Sequence, residues 1–278
     1  MYQNLLTQGL EAGVVLKTEI SKKLTIDGET RTYPVYKIRL DALYYNDKND
    51  RIATWISEYK TNHTIDMSDI EAYNSVIEGF IIQSNETAIL KTKKNIELFG
   101  QQEAGVVLCD GRIIDGNRRF TCLRLSHKEN INTANWFEAV ILPDNISKDE
   151  RSIKALELAL QHGVDSKVDY NPIDRLVGIY NDIIVNKTFT ISEYAQITND
   201  TESEIRKKVG LAQLMADYLK FYFGKKSKLS MNLFLPKNNN FENTSFDVDC
   251  TNFDLSSLKK YLNNYLPQGI RSLDGFLN

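Results

Sequence analysis

Residues 106–124, VVLCDGRIIDGNRRFTCLR, leave the chain few local choices. Val106, Val107 and Leu108 make the short apolar run of a buried strand. Asp110-Gly111 signals a two-residue hairpin, because both residues tolerate positive φ, and Ile113 and Ile114 begin the returning strand. Asp115-Gly116-Asn117 then turns into a helix, with Phe120 and Leu123 at helical spacing and Arg118 on another face. A glycine turn that opens a helix gathers unpaired backbone N–H groups and the positive end of the helix dipole, which suits an anion. Two arginine forks at that place match phosphate oxygens. Gly116, Asn117, Arg118 and Arg119 are therefore phosphate-site candidates. On spacing alone, the alternative is an ordinary turn followed by a solvated arginine pair.

Around this core the chain alternates strand and helix signals. Residues 13–26 and 30–40 read as a β-hairpin about Asp27-Gly28, with Pro34 arguing for an edge position. Residues 52–59 should form a short helix. A firmer one is expected over 67–80, capped by Ser68 with Glu71 three residues on. Residues 88–96 look irregular or extended. WFEAVIL, 136–142, reads as a strand closing the sheet. Residues 148–162 read as a helix with an apolar line of Ile153, Leu156 and Leu160, ending at Gly163.

Beyond residue 170 the signals are helical. Asn171 caps a helix, Pro172 takes its first position, and Asp174 sits in its positive first turn. Thr190 with Glu193 is a capping box. Asn199 suits the left-handed conformation of a tight turn, and Thr201 or Ser203 caps the next helix, with Ile205, Val209 and Leu211 pointing inward. This is the pattern of a helix-turn-helix, or of an ordinary αα-hairpin. Residues 186–228 hold eight Lys/Arg against five Asp/Glu in a chain of net charge −3. Ser203, Arg206, Lys207 and Lys208 are the candidates for a DNA backbone, with Lys225, Lys226 and Lys228 extending the basic character. Residues 233–252 read as loops and 255–265 as a last helix.

Charge and composition exclude several classes. An acidic net balance argues against a uniformly basic nucleic-acid coat but not against a local patch. Three cysteines form no CxxC pair, and three histidines show no metal spacing. No metal site and no Ser-His-Asp nucleophile is expected. No signal peptide or run of ~20 apolar residues is visible, so the expectation is a cytoplasmic, nucleoid-associated protein without membrane contact.

The string Asp115-Gly116-Asn117-Arg118-Arg119-Phe120 resembles the Gly-Glu-Arg-Arg box of the ParB amino-terminal domain, within the ParB/sulfiredoxin-like superfamily. The likeness runs over residues 37–215. It implies an α/β (α+β) ParB/sulfiredoxin-like domain over 1–147, an all-helical helix-turn-helix domain over 148–228, and a small region over 229–278. It further implies a ParB-like DNA-binding protein whose turn binds CTP or ATP, with double-stranded DNA and the nucleotide as partners and homodimerisation left open. By the same resemblance, Arg51 falls in the loop that ParB uses near its ligand, and Gln161 in the helix of its Glu-Asn-x-Gln-Arg string.

Aligned on Gln161, that string has Leu158 and Ala159 where ParB holds Mg²⁺ and phosphate, and His162 where it has Arg. Neither apolar side chain ligates a hard cation, and Glu157 substitutes only if the register slips by one, so Mg²⁺ use stays open and little metal-dependent triphosphate hydrolysis is expected. Asn117 stands where sulfiredoxin has its cysteine. Asp115 also partly matches an Asp-Gly-Gln-Gln-Arg string of restriction-type enzymes. The runner-up is thus a nuclease or nucleotide hydrolase (a CTPase, for example) of a mobile-element or defence system, with Asp115 and Arg119 catalytic. A structural interaction protein with an inactive pocket is the third reading.

Overall fold

The computed structural model describes residues 3–26, 28–130, 135–147, 149–163 and 172–223. In chain order its elements are β1 (Val15–Ile26), β2 (Glu29–Arg39), α1 (Ala53–Asn62), α2 (Ile70–Ser84), α3 (Glu86–Phe99), β3 (Gly105–Val107), β4 (Ile113–Asp115), α4 (Asn117–Glu129), β5 (Trp136–Ile141), α5 (Asp144–Ser147), α6 (Glu150–Leu158), α7 (Pro172–Ile179), α8 (Ile191–Thr198) and α9 (Glu202–Phe223). The chain divides into two compact units, Met1–Asn49 with Ile65–Lys167, and Asp50–Thr64 with Val168–Asn278. This division differs from the sequence boundary at 147/148: α6 goes with the sheet, and the segment carrying α1 goes with the later helices. The Asn171 cap, Lys225, Lys226 and Lys228, the loops over 233–252 and the helix over 255–265 lie outside the described residues.

The first unit is a mixed α/β structure, as its sequence pattern leads one to expect. Its sheet has the order β1-β2-β5-β3-β4. All neighbouring strands are antiparallel except β3 and β5, which run parallel. The crossover from β3 to β5 carries β4 and α4, which places the start of α4 at the end of the β3–β4 hairpin. Gly111, at φ 96°, makes that hairpin possible, since a side chain there would meet the Ala42 carbonyl oxygen at 2.4 Å. One sheet face buries Leu24, Val35, Val106, Leu108, Ile114, Val140 and Leu142 against Ile153 and Leu156 of α6. On α4, Phe120 stacks edge-on against Phe137 of β5 and against Tyr45. With cover on both faces, β5 and β3 are buried nearly throughout and lose the alternation of a one-sided strand.

Four sequence expectations change. Strand β5 does not close the sheet but lies at its centre, because a parallel crossover returns it beside β3. Pro34 is not on an edge strand. It sits where β2 has run past its pairing with β5, next to a register shift in β1, so its missing N–H costs no ladder bond to β5. Residues 88–96 are helical, within α3, whose start is capped by Asn85 Oδ1 accepting from the Ala88 N–H. The cap of α2 is Asp69, accepting from Ala72, and not Ser68, which bonds to Asp66.

In the second unit the expected capping box at Thr190 and Glu193 is present, and α8 ends at Asn199 with φ 56°. Thr201 and Glu204 form a second reciprocal cap at the start of α9. Ile205, Ala212 and Met215 of α9 are buried, as are Tyr194 and Ala195 of α8. Asp200, in the turn, accepts from Thr198 Oγ1 at 2.7 Å, pairs with Arg175 of α7, and has Lys208 Nζ at 3.4 Å. Burial pushes the Asp200 carboxyl up, but the Thr198 hydroxyl and the two cations outweigh it and hold it below its ordinary value.

Candidate functional site

Gly116 is the residue on which the turn depends. At φ 102° it is left-handed and serves as the N-cap of α4, and no side chain among the described residues caps the helix there. A Cβ at this position would lie 2.8 Å from Phe137 Cζ and 3.1 Å from Arg119 Nη2, so glycine is needed both for its φ and for its size. The first-turn N–H groups of α4 thus have no side-chain cap at Gly116, the arrangement that favours an anion.

Charged groups gather at this opening. Arg119 Nη2 donates to Asp115 Oδ2 at 2.8 Å, and Arg119 Nη1 is 4.0 Å from Glu103 Oε2. Lys22, from β1, brings Nζ to 3.9 Å from the same Asp115 oxygen and donates to the Ala104 carbonyl at 2.6 Å. Burial, opposed by Asp115 and reinforced by Arg119, depresses the Lys22 ammonium below its ordinary value. Arg118 is half-buried on the first turn. Asn117 Oδ1 is buried with no hydrogen-bond partner among the described residues.

A second polar group holds α4 in place. Arg124 is 5% exposed and donates from Nε to Glu78 Oε2 at 2.7 Å and from Nη2 to Glu71 Oε1 at 2.7 Å, clamping α4 to α2. Lys128 also pairs with Glu78. Tyr45 Oη and Thr121 Oγ1 share a 2.8 Å hydrogen bond inside the same unit.

The sequence candidates are distributed as follows. Gly116, Asn117, Arg118 and Arg119 stand together at the turn, with Asp115 bonded to Arg119. Gln161 lies in a π-helical turn, Ala159–Gly163, that continues α6, and donates to Glu157 Oε1 at 3.2 Å. Glu157, not Leu158 or Ala159, is the polar group of this helix. It is 1% exposed, with Asn46 Nδ2 at 3.5 Å and Lys154 Nζ at 3.7 Å, while Leu158 is fully buried. The π turn adds one residue to the helical register, the slip that sets Gln161 against Glu157. Arg51 lies in a single 3₁₀ turn, Asp50–Ile52, of the second unit.

On α9, Ser203, Arg206 and Lys207 are exposed, with Arg206 paired to Glu202 at 3.2 Å. Lys208 is half-buried on Asp200, and burial first, then Arg175, depresses its ammonium. Lys22, Glu103 and Arg124 did not stand out in the sequence. Nothing in a lysine on an alternating strand or an arginine inside a helix marks them; the fold brings Lys22 and Glu103 to the start of α4 and sets Arg124, on α4, against Glu71 and Glu78.

The donors at the turn fit a phosphate: backbone N–H groups, two arginines and a lysine. They do not fit a protein-held Mg²⁺. Among the described residues no three His, Cys, Asp or Glu side chains gather as a ligand set, and the buried Glu157 is already enclosed by an amide, an ammonium and Gln161.

No protein-family model matches the chain, and no curated protein matches it. Among solved structures it is similar to the chromosome-partitioning protein ParB from Caulobacter crescentus. The complex with CTP-γ-S is 11% identical, over 66% of this chain and 83% of that one, at a TM-score of 0.28. The complex with the centromeric parS site is 10% identical, over 66% and 75%, at 0.37. A Pnob8-like ParB-N domain is 13% identical, over 72% and 77%, also at 0.37. Likeness of this size assigns neither ligand nor reaction.

Proposed function

We propose that the Gly116 turn binds the phosphates of a nucleoside triphosphate, CTP or ATP, and that α8 and α9 contact duplex DNA, making this a ParB-like nucleotide-responsive DNA-binding protein. The observation that carries the reading is the left-handed, uncapped Gly116 at the start of α4, with the Arg119 guanidinium against it. The helix start supplies N–H donors and positive potential, and Arg119 supplies a charged fork. Arg118 adds charge from the same turn. Contact with DNA is supported by the exposed Ser203, Arg206 and Lys207 at the start of α9. The Arg206–Glu202 pair does not oppose it, since an exposed ion pair contributes roughly 0–1 kcal/mol and yields to a phosphate.

Calorimetric titration of CTP and of ATP into the full chain, with and without Mg²⁺, tests the phosphate site. Arg119→Ala removes a charge-assisted hydrogen bond, a loss of about 1.5–3 kcal/mol, so affinity should fall by about tenfold or more. Equal affinities for wild type and variant would sink the reading.

A further inference from the structure

We infer, resting on the phosphate-site reading above, that Lys22 is a third cation of that site and that Asp115 is a built-in competitor holding the anion's place. The two residues belong to the two edge strands of the sheet, β1 and β4, and the sheet curls far enough to bring them together. One oxygen, Asp115 Oδ2, takes Arg119 at 2.8 Å and faces Lys22 at 3.9 Å. A carboxylate oxygen beside an uncapped helix start and between an ammonium and a guanidinium occupies the position a phosphate oxygen would take. Its chain connection lets it swing aside but not leave.

Two consequences follow for ligand choice. Bound phosphate must outbid a carboxylate already present, so a single weakly charged anion is disfavoured and a polyphosphate, engaging Lys22, Arg118 and Arg119 at once, is favoured. Asp115 thereby sets a charge threshold that the helix terminus alone would not have. The alternative role for Lys22 is purely structural, as a donor to the Ala104 carbonyl at 2.6 Å, and for Asp115 it is to brace Arg119.

The test is calorimetric titration of sodium tripolyphosphate, and separately of inorganic phosphate, into the full chain and its D115N and K22Q variants, with thermal melts run in parallel. D115N keeps an acceptor for Arg119 while losing the charge. It should bind tripolyphosphate about threefold to tenfold more tightly and show a smaller preference for tripolyphosphate over phosphate. K22Q should bind tripolyphosphate about tenfold more weakly. A D115N variant that binds no more tightly than wild type, or a folded K22Q variant with wild-type affinity, overturns the inference while leaving the phosphate site standing if Arg119→Ala still weakens binding. Should K22Q melt below the assay temperature, D115N alone decides. If neither wild type nor D115N binds either anion, the phosphate-site reading fails as well.

Discussion

Gly116 and Asp174 show how much a single position depends on its surroundings. At Gly116, alanine would bear the strain of a left-handed backbone, about 1–2 kcal/mol, and would press its methyl into Phe137. Gly116→Ala should therefore lower unfolding free energy by about 2 kcal/mol or more, read as a lower urea midpoint, and should weaken nucleotide binding. Asp174 was expected at the positive start of its helix as a charged group. It is instead 3% exposed, with Thr54 Oγ1 donating to it at 2.8 Å, and burial pushes its carboxyl up from 3.8 to about 8, with Asp50 adding to the rise and Thr54 opposing it. The folded state thus keeps a proton that the unfolded chain releases. This contribution is complete below about pH 4 and is lost as pH rises through about 8, at no more than about 1.4 kcal/mol per pH unit. Asp174→Asn keeps an acceptor for Thr54 and removes the titration. Its stability relative to wild type should rise from pH 5 to pH 8 in urea unfolding, and parallel curves for the two proteins would contradict the shift.

At the scale of elements, the α8–α9 pair was legible because its caps are local. Thr190 with Glu193 at the start of α8, Asn199 at its end and Thr201 at the start of α9 were readable because each acts within four residues of chain. Helix α3 was not, because only Ile89 on it is buried, and Leu90, Leu98 and Phe99 are exposed. Its apolar residues therefore follow no single face, and its one clear signal is the Asn85 cap. The clamp between α2 and α4 is invisible in sequence for a different reason: Arg124 on α4 is about fifty residues from Glu71 and Glu78 on α2. Removing one partner of a buried ion pair costs about 3–5 kcal/mol, because the other charge stays buried. Arg124→Ala should destabilise the protein by about that amount, measured by denaturant unfolding. A change under about 1 kcal/mol would mean that Lys128 and solvent satisfy Glu78 without it.

For the molecule as a whole, two compact units divide the proposed work, the turn in the first and the α8–α9 pair in the second. Among the described residues no helix is long and apolar enough to cross a membrane. The proposed DNA binding is tested on the full chain. Replacing Arg206 and Lys207 by alanine should make the slope of log affinity against log salt shallower by about 1–2 units, with folding intact because both side chains are exposed. Fluorescence anisotropy with duplex DNA at several salt concentrations measures this, and an unchanged slope would remove α9 from the interface. Lys208 belongs to a different class. From α9 it is seated on Asp200 of the turn, the carboxylate that Arg175 of α7 also pairs with, so its loss should act on stability before it acts on the salt slope.

What the sequence determined by itself was whatever a few consecutive residues decide. The β3–β4 hairpin, the Gly116 turn into α4 and the capped turn at Asn199 follow from backbone freedom and side-chain caps, which act over one to four residues. The tertiary structure alone decided which distant groups meet. It put β5 at the centre of the sheet, drew Lys22 across to Asp115, buried Arg124 between two glutamates, and set Glu157 rather than Leu158 among the polar side chains of Asn46 and Lys154. Those outcomes come from burying two faces of a curled sheet. That burial is non-directional and proportional to area, so no local residue pattern encodes where a charged side chain on one strand will find its partner.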